Sequence, residues 1–238
     1  MILVLAAAGA LFLDGGSSHP ATGAAFGELA GGSAAKIVLV PTALPESTLN
    51  EPNLRAMPRT AERHFGVGSA VVLHAETRER AGKAEFAAPL RDATGVFFLG
   101  GDHRRILDRY AGTRFETELK VFLARGGIVG GSSAGAMVLG SYQAARPGVT
   151  GNRIVDGPSN HAGFALLPNA LIDVHFTERR LHPHLPPILK KYPQLRAFGI
   201  DERTALIIRG DGKMEVVGPG TVTVFEGKSV RVLSATIQ

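Results

Sequence analysis

The residues best placed to do chemistry lie in Gly126-Gly127-Ile128-Val129-Gly130-Gly131-Ser132-Ser133-Ala134-Gly135-Ala136-Met137. A short apolar strand runs into small residues, two serines sit at their centre, and an Ala/Met/Val/Leu helical pattern follows. A sharp strand-to-helix turn exposes a serine hydroxyl, and only small neighbours let the turn form and a carbonyl approach. The helix that follows aims free N–H groups at a developing oxyanion. This is the layout of nucleophilic acyl transfer. The pattern reads GGSSAGA and not the G-x-S-x-G of lipases. Ser133 is favoured over Ser132 because Ala134-Gly135 leaves room for both the turn and the carbonyl. A strand–Gly–Ser–helix junction also arises as a plain turn with a serine cap, so the surrounding residues must decide.

A serine needs a base, and His175 lies near the end of the run 171–176, at the carboxyl edge where open α/β sheets place their sites. His103, His161, His182 and His184 are rivals. The His182-Pro183-His184 triplet lacks a carboxylate at a recognisable ligand spacing, so no metal site is expected. A second glycine turn, Gly100-Gly101-Asp102-His103, follows the apolar Phe97-Phe98-Leu99. Its exposed N–H groups make Gly101, with Ala134, the expected oxyanion hole. Neither a P-loop nor G-x-G-x-x-G is present, which argues against a nucleotide. With no cysteine in the chain there is no thiol nucleophile, disulfide or cysteine metal site.

These residues need a frame. Apolar runs at 36–40, 70–74, 95–99 and 127–129 alternate with helical patterns, notably 104–110 and 115–124. Helical spacing in 50–65 is clear only after Pro58, and 188–192 reads as a helix end. That alternation predicts an α/β fold, a three-layer αβα sandwich with a mainly parallel sheet. Four short β runs at 205–209, 213–217, 221–225 and 229–233 are separated by Gly-Asp-Gly, Gly-Pro-Gly and Glu-Gly-Lys. They predict C-terminal antiparallel hairpin strands extending one end of the sheet. No repeat or linker interrupts residues 1–238, so one domain is expected.

Composition narrows the classes. A net charge of +5 without a polybasic run, and 6% aromatics, argue against nucleic-acid binding. Residues 1–13 are apolar but lack a positive n-region and fall short of the roughly 20 residues of a membrane span. Gly9-Ala10-Leu11-Phe12-Leu13 reads as a first buried strand entering the turn Asp14-Gly15-Gly16, and a cytoplasmic protein with no membrane partner is expected.

Read in order, the elbow, the Gly-Gly-Asp turn, the histidine strand and Gly199-Ile200-Asp201-Glu202-Arg203-Thr204-Ala205 resemble the cyanophycinase/dipeptidase E group of serine peptidases, nearer to the cyanophycinase branch. The resemblance runs from about residue 11 to 206. It implies a three-layer αβα domain related to the class I glutamine amidotransferases, with Ser133 as nucleophile in the position of GGTSAGA. His175 becomes the base, within Asp173-Val174-His175-Phe176 where the group has D-Q-H-F. It further implies hydrolysis of a small peptide or isopeptide next to an aspartyl residue, through an acyl-enzyme, with no cofactor, and a homodimer.

The departures matter. The group's G-G-D-Q reads Gly100-Gly101-Asp102-His103 here. Its R-x-R-x-x-R-L series keeps Arg179 but has Leu181 and His184 at the next two arginine positions, which argues against the arginine-bearing polymer cyanophycin. Asp102, His103, Asp173, Arg179 and Glu202 are expected to line the substrate pocket, Arg179 as a rigid donor to a substrate carboxylate. The resemblance implies a triad acid between the elbow helix and the histidine strand, where Asp156 is the only carboxylate and Asn152 the fallback. Asp201 and Glu202 read as rim or brace. The same machinery would serve an esterase or amidase, and a chain that kept the pocket without turnover would be a binding protein.

Overall fold

Apolar runs bounded by turn residues become strands in the computed structural model, which describes residues 8–144, 154–155 and 163–235. The first half contains β1 (Ala10–Asp14), α1 (Pro20–Leu29), β2 (Lys36–Val40), α2 (Glu51–Phe65), β3 (Ser69–Val72), α3 (Arg78–Ala81) and β4 (Gly95–Phe98). Next come α4 (His103–Tyr110), α5 (Arg114–Ala124), β5 (Ile128–Ser132), α6 (Ala134–Met137), β6 (Gly140–Ala144) and β7 (Ile154–Val155). The remainder is β8 (Leu167–Val174), α7 (Leu185–Lys191), β9 (Arg196–Ile200), β10 (Ala205–Arg209), β11 (Met214–Val217), β12 (Thr221–Glu226) and β13 (Ser229–Ser234).

The strands form two sheets. One has the order β11-β10-β1-β5-β4-β2-β3, and the other β13-β12-β9-β8-β6-β7. In the first, β1, β5, β4, β2 and β3 run parallel, so their carboxyl ends share one edge. In the second, β6, β8 and β9 are parallel. Helices α1 and α2 cover one face of the first sheet around Phe12, Phe26, Phe65 and Phe97, with Phe26 4.8 Å from Phe97 and 5.0 Å from Phe65. Such tilted aromatic contacts contribute beyond the apolar area they bury. The opposite face, through Leu11, Leu13, Val38, Val96 and Val129, shares a core with α4, α5 and the inner residues Ile172, Val174, Phe198 and Ile200 of the second sheet. Helix α7 closes the outer face of that sheet through Leu185, Ile188 and Leu189. The result is the mixed α/β sandwich anticipated from the strand–helix alternation.

Three expectations change. The C-terminal strands do not extend one sheet: β10 and β11 join the first, whereas β12 and β13 join the second. Gly-Pro-Gly is a corner between sheets, held by the Gly220 N–H on Thr204 Oγ1 at 2.8 Å, and not a hairpin turn. Helix α2 begins at Glu51, well before Pro58, because Asn50 Oδ1 caps the Asn53 N–H and Pro52 suits the first turn. The mid-helix proline forgoes one backbone bond, while Ala61 and Phe65 remain buried. The helix after the elbow is a single turn. Carbonyls of Val138, Leu139 and Gly140 are taken by the N–H groups of Phe164, Leu167 and Ala165, which turns the chain into β6.

Candidate active site

Ser133 follows the last residue of β5 and begins the turn into α6, with φ +53° and ψ −117°. A side chain in that region costs about 1–3 kcal/mol of backbone strain and persists only where neighbours over-determine it. Here the Ser133 N–H donates to Asp14 O at 2.9 Å, and Ser133 O accepts from Ala136 at 3.0 Å and Met137 at 3.1 Å. Gly135 completes the turn because a Cβ there would lie 2.2 Å from Phe98 O. Small residues are therefore a packing requirement of the elbow.

The two serines separate by partner. Ser132 Oγ donates to Asp14 Oδ1 at 2.9 Å, whereas Ser133 Oγ lies 2.8 Å from His175 Nε2. His175 stands one residue beyond β8 in the left-handed region, with φ +54°. Its N–H donates to Gly15 O at 3.1 Å, and the ring packs on Gly16, where a Cβ would fall 2.3 Å from Cε1. The other ring nitrogen, Nδ1, is 2.7 Å from Glu202 Oε1.

Glu202 reaches that position because β8 and β9 are parallel with Val174 opposite Ile200, so both strands end at one edge. Hydrogen bonds from Ser17 and then His175 hold its carboxyl below the ordinary value of 4.5. Its own N–H donates to the Glu178 carboxylate at 3.2 Å. Asp201, one residue earlier, is a brace. Its carboxylate accepts from Thr177 N–H at 3.1 Å, Thr221 N–H at 2.9 Å and Thr221 Oγ1 at 2.7 Å. Burial raises Asp201, but these bonds outweigh it and keep the carboxyl below its ordinary value.

The hydrogen-bonded line is thus Ser133–His175–Glu202. Glu202, read from sequence as a pocket residue, occupies the place beside His175 Nδ1 that had been given to Asp156; Asp156, Asn152 and His161 lie outside the described residues. The Gly-Gly-Asp turn adjoins the elbow: a Cβ on Gly100 would be 3.2 Å from Ser133 Cβ. Asp102 caps α4 and chelates Arg104, with Nη2 at 2.7 Å, so its carboxylate serves its own helix. That bond lowers the Asp102 pKa. His103 opens α4 and is half-buried. Asp173 is buried beside His184, with Oδ2 3.3 Å from Nδ1, and His182 packs on Phe176. Arg179 is exposed just beyond His175, where its charge acts on Glu202.

Asp14 and the Gly15-Gly16-Ser17 turn are site components that sequence reasoning passed over as a generic turn. The signal for Glu202 was present: an acidic residue two places past a buried strand, beside a parallel strand that ends in the histidine.

An elbow serine hydrogen-bonded to a histidine, itself held by a carboxylate, is the arrangement of a serine-type hydrolase. The sequence model of peptidase family S51 matches residues 4–216, and the chain belongs to that family, which makes it a serine-type peptidase. It is 29% identical over 215 residues to a cyanophycinase of Geminocystis herdmanii (strain PCC 6308), covering 86% of this chain and 74% of that protein. To the cyanophycinase of Synechococcus elongatus it is 32% identical over 212 residues, and it spans 63% of that protein, less than two thirds of its length. The fold matches the crystal structure of a peptidase from an acI-B1 Actinobacterium with a TM-score of 0.77 at 25% identity, covering 98% of this chain and 96% of the other. It also shares its fold with a putative peptidase E protein from Listeria monocytogenes EGD-e, with a TM-score of 0.58 at 17% identity and coverage of 96% and 99%. Among the described residues no helix is long and apolar enough to cross a membrane.

Proposed function

We propose that Ser133, His175 and Glu202 form a catalytic triad that hydrolyses a peptide or isopeptide bond next to an aspartyl-type residue. The observation that carries this reading is the pair of contacts on one imidazole, 2.8 Å to Ser133 Oγ and 2.7 Å to Glu202 Oε1. His175 Nε2 takes the hydroxyl proton as Ser133 Oγ bonds to the carbonyl carbon, and Glu202 stabilises the imidazolium. The N–H groups of Gly101 and Ala134 receive the oxyanion. On collapse, Nε2 returns the proton to the leaving amine, and an ester to Ser133 remains. Water, deprotonated by His175, then hydrolyses that ester and restores the serine.

An aspartyl-type substrate is supported by the cyanophycinase relatives and by Arg179, whose cationic side chain acts on this site. The replaced arginine positions, Leu181 and His184, favour a small acidic peptide over an arginine-bearing polymer. The test is fluorophosphonate labelling followed by intact mass, and hydrolysis of β-aspartyl and α-aspartyl dipeptides. Ser133→Ala should lose the adduct and about 10⁴-fold or more in kcat, and Glu202→Gln about 10³–10⁴-fold. A labelled wild type that cleaves acyl esters but neither dipeptide would replace the aspartyl reading with an esterase. A folded wild type that never labels would end the triad reading.

A further inference from the structure

Asp14 stands where the two sheets contribute to the site. It ends β1 opposite Ser132 of β5, and its carbonyl oxygen accepts the Ser133 N–H at 2.9 Å. Its buried side chain points back into the same junction. Oδ1 accepts from Gly16 N–H at 2.8 Å and from Ser132 Oγ at 2.9 Å. Gly16 is the residue against which the His175 ring rests, Gly15 O holds the His175 N–H, and Ser17 bonds to Glu202. One carboxylate oxygen therefore ties the residue before the nucleophile to the glycine beneath the base.

Burial opposes a charge at this position and pushes the carboxyl up. A turn alone does not call for such a residue, since Asn, Ser or Gly makes similar turns without burying a charge. We propose that Asp14 is a positioning residue for the hydrolysis: by accepting both bonds on Oδ1, it sets the separation of Ser133 Oγ and His175 Nε2. Nucleophile and base come from different sheets, so this distance has no short covalent link to define it. Misplacement by about 1 Å is enough to lose roughly two orders of magnitude in rate.

This inference rests on the triad reading, and one assay separates the two. The full chain is labelled with a fluorophosphonate, and the maximal labelling rate (kinact) is resolved from the half-saturating concentration (KI). Asp14→Ala should lower kinact about 10–100-fold with KI within about twofold. Asp14→Asn keeps an acceptor oxygen and should recover most of that loss. Ser132→Ala, which removes one of the two donors, should lower kinact about 3–10-fold and keeps the test alive if Asp14→Ala does not fold. A labelled wild type whose kinact is unchanged in the foldable variants would overturn the positioning role alone. So would an Asp14→Asn variant as slow as Asp14→Ala, or a loss confined to KI. A folded, unlabelled wild type would remove the triad reading and this role together.

Discussion

Two strand ends carry nearly the same letters and do opposite work. Asp14-Gly15-Gly16 begins on the last residue of β1, and Gly100-Gly101-Asp102 lies just beyond β4. Where the acid precedes the glycines it is still on the sheet, so it is buried and its carboxylate bonds inward to Gly16 and Ser132. Where the acid follows them it has left the sheet, caps α4 and pairs with Arg104 near solvent. Burial raises the Asp14 pKa, while the Arg104 bond lowers that of Asp102. Standing before rather than after the glycine pair separates a carboxylate bonded inward to Gly16 and Ser132 from one that organises a helix.

The comparison can be broken most sharply at Gly16. A Cβ there would lie 2.3 Å from His175 Cε1 at φ +106°, so Gly16→Ala should displace the imidazole. We expect about a 10³-fold loss of kinact or kcat with unchanged far-UV circular dichroism. Activity within tenfold of wild type would show that the turn does not support the ring. On the other turn, Gly101→Ala meets Ala43 O at 2.1 Å and a φ of +140°. It should shift the proposed oxyanion donor and lose about 10²-fold. A variant that lost substrate affinity alone would reassign the turn to binding.

Smaller effects sharpen the contrast. Asp102→Ala removes an N-cap and should lower stability by about 1 kcal/mol in urea unfolding, with kcat within severalfold of wild type. The pH dependences run in opposite senses. A carboxyl raised on folding contributes stability below its ordinary value of 3.8 and loses it as pH rises through the raised value. Asp14→Asn should therefore gain in urea midpoint on wild type as pH rises above the ordinary carboxylate range. A lowered carboxyl contributes above the ordinary range and loses it as pH falls through the lowered value. Asp102→Asn should fall behind wild type at neutral pH and draw level in acid. Parallel curves for the two variants would mean that both acids share one environment.

Much of this is legible in the sequence alone. The small residues around Ser133 announce the elbow because the packing of Gly135 on Phe98 O tolerates nothing larger. The run that ends near His175 and the glycines after Leu99 follow from the carboxyl-edge logic of parallel strands. The contact of Glu202 with His175 is not evident from sequence because it depends on strand neighbours 27 residues apart. The division of the C-terminal strands between two sheets escaped because Gly-Pro-Gly marks a change of direction without saying what the next strand will join. Asp14 escaped because Asp-Gly-Gly is the ordinary spelling of a turn, and only the β1–β5 register brings its carboxylate to Ser132.

Because the serine hangs from β5 while the histidine and glutamate hang from the ends of β8 and β9, the proposed triad straddles a seam. Enzymes so divided can be silenced by a breathing motion that leaves most amide protons protected, since opening the seam requires far less than global unfolding. Turnover then becomes a gauge of how firmly the two sheets are docked. On heating, or after loosening β12 and β13 remote from the serine, labelling of Ser133 should fade before circular dichroism registers any melting.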